Sequence, residues 1–168
     1  MKRITALVFT VALLTLLPVS HSLAQTRIEI GPRLGIDAGG DIEELFIGAD
    51  ARIGLVAFPL VLNPVFDYYF TDDPLTFWQL GLNVLYPLNA PTVDLYVGGG
   101  LGINRASVDA DFGDFGNFSA SDTSVGVNLI GGATFNAGAL KPFAQAQISL
   151  GDVDLFTLAG GLLFSLGN

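Results

Sequence analysis

The chain has 168 residues, a formal charge of −9, no cysteine and one histidine. So acidic a balance excludes nucleic acid as a partner, because phosphate contacts require lysine and arginine. The lack of cysteine excludes disulfides, thiolate chemistry and cysteine metal sites.

Residues 1–24 read as a secretory signal peptide. Lys2 and Arg3 give a basic start, Ile4 to Val19 an apolar core, and Ser22-Leu23-Ala24 a small-x-small cleavage site. An uncleaved membrane helix is the competing reading, but the stretch is short for a span, Pro18 closes it and a cleavage site follows. Cleavage leaves Gln25 at the front of a single domain, 25–168, and takes the charge from −9 to −11 as Lys2 and Arg3 depart. His21 departs too, so the mature chain has no imidazole for a triad, a zinc site or a His–Ser lipid deacylase. No cofactor is expected.

After residue 24 a two-residue rhythm sets in. In 27–37, Ile28, Ile30, Pro32, Leu34 and Ile36 share one phase, and Arg27, Glu29, Gly31, Arg33, Gly35 and Asp37 the other. Period 2 means β-strand. The rhythm predicts further strands over 45–56, 63–71, 76–87, 93–108, 123–135, 140–150 and 155–166, each about the ten residues that a tilted membrane strand needs. Hydrophobic residues make up 51% of the chain and charged ones 14%, with mean hydropathy +0.57. No apolar run after the signal is long enough for a membrane helix. The composition therefore points to an all-β, eight-stranded, antiparallel up-and-down transmembrane β-barrel, apolar outside and polar within. Gly98-Gly99-Gly100 blurs the phase of the fifth strand and suggests a bulge, which leaves open whether Arg105 faces outward above the hydrocarbon or turns in.

The connections sort by charge. Those after the first, third, fifth and seventh strands contain or adjoin Asp37, Asp41, Glu43, Glu44, Asp72, Asp73, Asp109, Asp111, Asp114, Asp122, Asp152 and Asp154, twelve of the sixteen carboxylates. The stretches 57–62, 88–92 and 136–139 carry no charge. In an up-and-down barrel the two sets lie at opposite ends. The longest connection, 110–122, marks the acidic end as external and puts both termini in the periplasm, because such barrels have short periplasmic turns. Tyr68, Phe70, Trp78 and Phe156 fall toward the acidic end, and Tyr86, Phe135 and Phe164 toward the neutral one, as two aromatic girdles.

The inward phase holds Arg27, Glu29, Arg33, Asp50, Arg52, Asp67, Asp94 and Lys141 together with many amides. Buried charges persist only when paired, so Arg33, Asp50, Arg52 and Asp67 on the first three strands are expected to form an interior charge plug. In the long connection, Asp109, Asp111 and Asp114 form a weak Ca²⁺ or Mg²⁺ candidate, since hard cations take several carboxylate oxygens; the spacing is not that of an EF-hand. A solvated acidic loop is the simpler reading.

With Ile28-Glu29-Ile30-Gly31-Pro32-Arg33-Leu34-Gly35 opening the barrel and Ala159-Gly160-Gly161-Leu162-Leu163-Phe164-Ser165-Leu166 closing it, the chain resembles the small OmpA-like outer-membrane β-barrel proteins, often labelled porin-family. The resemblance covers about residues 25–168. The closing segment is similar to the family's assembly signal at Gly161, Phe164 and Leu166. It departs in Ala159 where a polar residue is usual, in Leu166 where an aromatic is usual, and in the trailing Gly167-Asn168. The resemblance implies a non-enzymatic monomer in outer-membrane lipid with a structural or surface-interaction role and an extracellular ligand at the acidic loops. A narrow porin-like channel and a soluble secreted ligand-binding barrel are the alternatives. Intact-mass measurement of protein purified from the envelope should give a chain beginning at Gln25; a retained segment 1–24 would refute the signal reading.

Overall fold

The computed structural model describes residues 27–55, 58–88, 93–111 and 117–166. The signal segment lies outside them. Eight strands follow in chain order: β1 (Ile28–Asp37), β2 (Leu45–Leu55), β3 (Leu60–Tyr69), β4 (Leu75–Leu88), β5 (Asp94–Asp111), β6 (Asn117–Thr134), β7 (Leu140–Leu150) and β8 (Leu155–Leu166). Each pairs antiparallel with the next, and β1 pairs with β8, so the sheet closes in the order β1 to β8. Closure leaves no edge in the barrel wall, the condition for a sheet whose backbone must satisfy itself without water.

The period-2 phase becomes inside and outside. Leu34, Ile47, Phe66, Leu82, Leu101, Val127, Ile148 and Leu158 are exposed on the outer wall, while Arg33, Asp50, Asp67, Asn83, Asn104, Asn128 and Gln147 are buried within. A continuous apolar belt of this kind is what lipid requires and what water penalises. A soluble barrel would carry the opposite pattern.

Two expectations are corrected. First, β5 has no bulge: its register with β4 and with β6 runs unbroken through Gly98, Gly99 and Gly100. A glycine shows no side chain, so its phase could not be read from its type. Second, most of the stretch taken as the long connection is strand. β5 continues to Asp111 and β6 begins at Asn117, which places Asp122 opposite Ala106 within the ladder. Both strands leave the lipid there and both faces turn polar, so the alternation that reveals a strand disappears.

Glycines fill a geometric role. Inside a narrow barrel, large side chains fit only beside small ones. Arg33 is flanked in register by Gly48 and Gly161, Asp50 by Gly31, Phe46 by Gly35, and Tyr96 by Gly132. Gly98 likewise sits between Leu85 and Ile130. At Gly161 a Cβ would stand 2.5 Å from Phe143 Cε1 and 2.5 Å from Pro32 O, whereas at lipid-facing Gly131 nothing lies within 4 Å. Gly161→Val should therefore cost about 1–3 kcal/mol by overpacking, read as a lower denaturant midpoint in lipid vesicles, and Gly131→Ala should change stability by less than about 0.5 kcal/mol. Equal effects would refute the space-filling account.

Candidate functional site

The lumen has three storeys. The middle one on the β1–β3 side is ionic. Arg33 Nε lies 3.1 Å from Asp67 Oδ1, Arg33 Nη1 3.7 Å from Asp50 Oδ2, and Arg52 Nε 3.2 Å from Asp50 Oδ1. The Arg33 and Asp50 side chains are 0% exposed. These contacts gather Arg33, Asp50, Arg52 and Asp67 into one group. Arg33 is in ionic contact without an aligned hydrogen bond among the described side chains, whereas Arg52 is fully oriented. It donates through Nε to Asp50, through Nη1 to Thr134 Oγ1 at 2.7 Å and through Nη2 to the Tyr96 hydroxyl at 2.9 Å. Asn63 Nδ2 completes the group by donating to Asp50 Oδ1 at 2.9 Å.

On the β4–β7 side the same height is neutral. Gln147 Nε2 donates to Gln79 Oε1 at 3.0 Å, and Gln79 Nε2 to Asn104 Oδ1 at 2.8 Å. Ser149 Oγ donates to Asn128 Oδ1 at 2.7 Å, and Asn128 Nδ2 to Asn83 Oδ1 at 2.9 Å. Amides can bond across the lumen at no cost in ionic desolvation.

Toward the acidic mouth the interior turns apolar. Phe46, Tyr69, Phe77, Leu155 and Ala159 pack together. The Tyr69 ring centroid lies 5.1 Å from that of Phe46, tilted, and 5.0 Å from that of Phe77, edge to face, and Arg33 Cζ lies 5.5 Å from the Phe46 centroid. The sequence reading missed this cap by treating the inside as polar. The signal was present: Phe46 shares the inward phase with Asp50, and Phe77 shares it with Gln79. Above the cap, Asp37 is buried and spent on backbone. Its Oδ2 accepts from Ile42 N and Glu43 N, and its Oδ1 from Phe156 N. Asp41 Oδ2 accepts from Asp154 N, which ties the first connection to the last.

β5 and β6 project beyond this mouth. Their outer face switches abruptly from Leu101, Ile103, Val125 and Val127 to the cross-strand pairs Arg105–Thr123, Ser107–Ser121 and Asp109–Ser119. Arg105 faces outward and donates to Ser121 Oγ at 3.2 Å and Thr123 Oγ1 at 3.4 Å, so it stands beyond the apolar belt rather than in the lumen. β7 pairs with β6 only from Val127 onward, so Asn117–Gly126 presents a strand edge without a sheet neighbour among the described residues.

No protein-family model and no curated protein matches the sequence. Solved structures do match in fold. The N-terminal β-barrel domain of OprF from Pseudomonas aeruginosa aligns with TM-score 0.62 at 16% identity, covering 84% of this chain and 100% of that one. Neisserial surface protein A aligns with TM-score 0.62 at 15% identity, covering 84% and 95%. Ail, the attachment invasion locus protein of Yersinia pestis, solved with the heparin analogue sucrose octasulfate, aligns with TM-score 0.59 at 19% identity, covering 84% and 97%. The fold is that of the small outer-membrane barrels. At these identities the likeness extends to architecture alone.

Of the cation candidates, Asp109 Oδ1 accepts a hydrogen bond from Ser119 Oγ. Asp114 and the side chain of Asp111 lie outside the described residues. Among the described residues no three acidic or histidine side chains converge. Of the expected interior charges, Arg27 and Asp94 are exposed at the mouth that carries the termini, while Glu29 and Lys141 pair across the lumen.

Breaking the ionic group should be expensive. Arg33→Ala leaves Asp67 buried without a counter-ion, while Asp50 keeps Arg52, and should cost about 3–5 kcal/mol, read by chemical unfolding followed through the only tryptophan, Trp78. The double change Arg33→Met, Asp67→Leu, which leaves Asp50 paired with Arg52, should recover most of that loss. A single variant as stable as the parent would refute the pairing.

Proposed function

We propose that the chain is an outer-membrane barrel, delivered by a cleaved signal peptide, with both termini periplasmic, that acts through its outer surface rather than by transport or catalysis. The observation that carries this reading is the contrast between the two ends of β5–β6. Within the lipid belt the lumen beside them is filled by the Arg33 ion group and the amide ladder, and closed above by Phe46, Tyr69 and Phe77. Beyond the belt the same two strands carry a hydroxyl-rich ladder and a strand edge that no neighbour among the described residues occupies.

The ion group serves as a plug in this reading. Eight strands enclose a space that side chains just fill, and here they include two fully buried charges in contact. The acidic connections then set the sign of the partner. Asp41, Asp72, Asp73, Asp152 and Asp154 crown the mouth, so the surface favours a cationic or neutral partner over polyanions such as the heparin analogue bound in the Ail structure. The reading is non-enzymatic, in keeping with a mature chain that has neither imidazole nor thiol.

Cell fractionation combined with gel mobility tests the reading. The protein should sediment with the outer membrane, and its band should shift on boiling as a folded barrel opens. Reconstituted in planar bilayers, it should show no conductance above that of the lipid alone. Discrete single-channel steps would overturn the plug and favour the narrow pore.

A further inference from the structure

Among the described residues the lumen is stoppered at the acidic mouth but not at the opposite one. There the described residues line a cavity of about 550 Å³, within the range of small-molecule sites, about 300–1,000 Å³. The mature chain has five basic residues, Arg27, Arg33, Arg52, Arg105 and Lys141. Three of them, Arg27, Arg52 and Lys141, line this one cavity. Glu29 and Asp94 line it as well, and Asp50 stands behind Arg52, so acids and bases match in number and what the cavity offers an anion is free N–H donors rather than net charge.

The basic groups are held in place. The Arg52 guanidinium lies between two rings, 4.6 Å from the Tyr96 centroid and 4.7 Å from that of Phe143. Three of its N–H groups are engaged by Asp50, Thr134 and Tyr96. A guanidinium has five, so one N–H on each terminal nitrogen remains to donate. Lys141 donates one of its three ammonium hydrogens to Glu29. The lining also holds Val61 and buried Leu85 on the inward phase, with the exposed, outward-phase Leu88 and Leu95 at its rim. Cationic donors and an aliphatic lining in one cavity fit a molecule with one oxyanion and one short apolar tail.

We infer that this cavity binds a small monoanionic amphiphile, a carboxylate or phosphate monoester whose head meets Arg52 and Lys141 and whose tail lies on Val61 and Leu85. The head accepts the N–H groups of Arg52 and Lys141 that no described side chain engages, and the tail covers apolar wall that otherwise faces water. The molecule enters either from the aqueous compartment or from the bilayer, and both routes share this chemistry.

The test uses the full mature barrel, isotope-labelled, in phosphatidylcholine nanodiscs. Octanoate is added while the Arg52 Nε–H and the Thr134 and Lys141 amides are followed by NMR. Saturable shifts at these three sites are expected, with octanamide, the neutral counterpart, giving none. Lys141→Gln should weaken octanoate binding about tenfold, or about 1.4 kcal/mol. Arg27→Gln, at an exposed side chain whose loss leaves the barrel folded, should weaken it about threefold. Palmitate placed in the bilayer that reproduces the same shifts assigns the bilayer as the source and supports the site equally. No shift at saturating octanoate overturns the inference. So do equal shifts with octanamide, which would show that the head is not recognised. Equal shifts at the lipid-facing amides of Leu101 and Leu129 overturn it as well, since they would report partition into the bilayer.

Discussion

In lipid no backbone N–H or C=O may go unpaired, so a β-sheet there has to close on itself. Closure at eight strands then fixes a second quantity, the width of the interior, which side chains just fill. Both the composition and the internal chemistry of this protein follow from that narrowness. Twenty-one glycines would be extravagant in an ordinary domain. Here several of them give way to a large inward neighbour, as Gly48 and Gly161 do on either side of Arg33 and Gly132 does beside Tyr96.

The same narrowness explains why the interior divides by chemistry. β1–β3 bring two arginines and two aspartates together, and β4–β7 bring together Gln79, Asn83, Asn104, Asn128 and Gln147 with Ser149. Ions must be paired at close range and bear the cost of desolvation. Amides tolerate imperfect partners at lower cost. Confining the charges to three neighbouring strands keeps each close to its counter-ion, while the amides bridge the remaining width. The aromatic cap of Phe46, Tyr69 and Phe77 then shields the ions from water on one side.

Much of this was legible in the sequence. The period-2 phase located all eight strands, because apolar residues face lipid at almost every outer position. The ion group was legible as well, since hairpin partners on β1–β3 share the inward phase and carry opposite charges. Legibility failed where the two faces stop differing. Leu60-Val61-Leu62 opens β3 three residues before the expected start, and there the apolar lining of the cavity makes both phases greasy. The Ser- and Asp-rich ends of β5 and β6 are wet on both faces. Gly98 and Gly100 point inward but carry nothing that says so. The amide partners were out of reach for a different reason: which amide meets which depends on the stagger of the closed sheet, and that appears only on closure.

The pairing of Glu29 on β1 with Lys141 on β7, 112 residues away, bears on the order of events in time. Each hairpin joins strands that follow one another and costs little chain entropy to form, whereas the β1–β8 seam must gather the two ends of the whole barrel. The Glu29–Lys141 contact and the bond from Phe156 N to Asp37, 119 residues apart, exist only once that seam has shut. They grip it from inside, one near each rim. Assembly in that order ends where the first strand meets the last, and these two clasps add their hold to the β1–β8 backbone ladder that forms the seam.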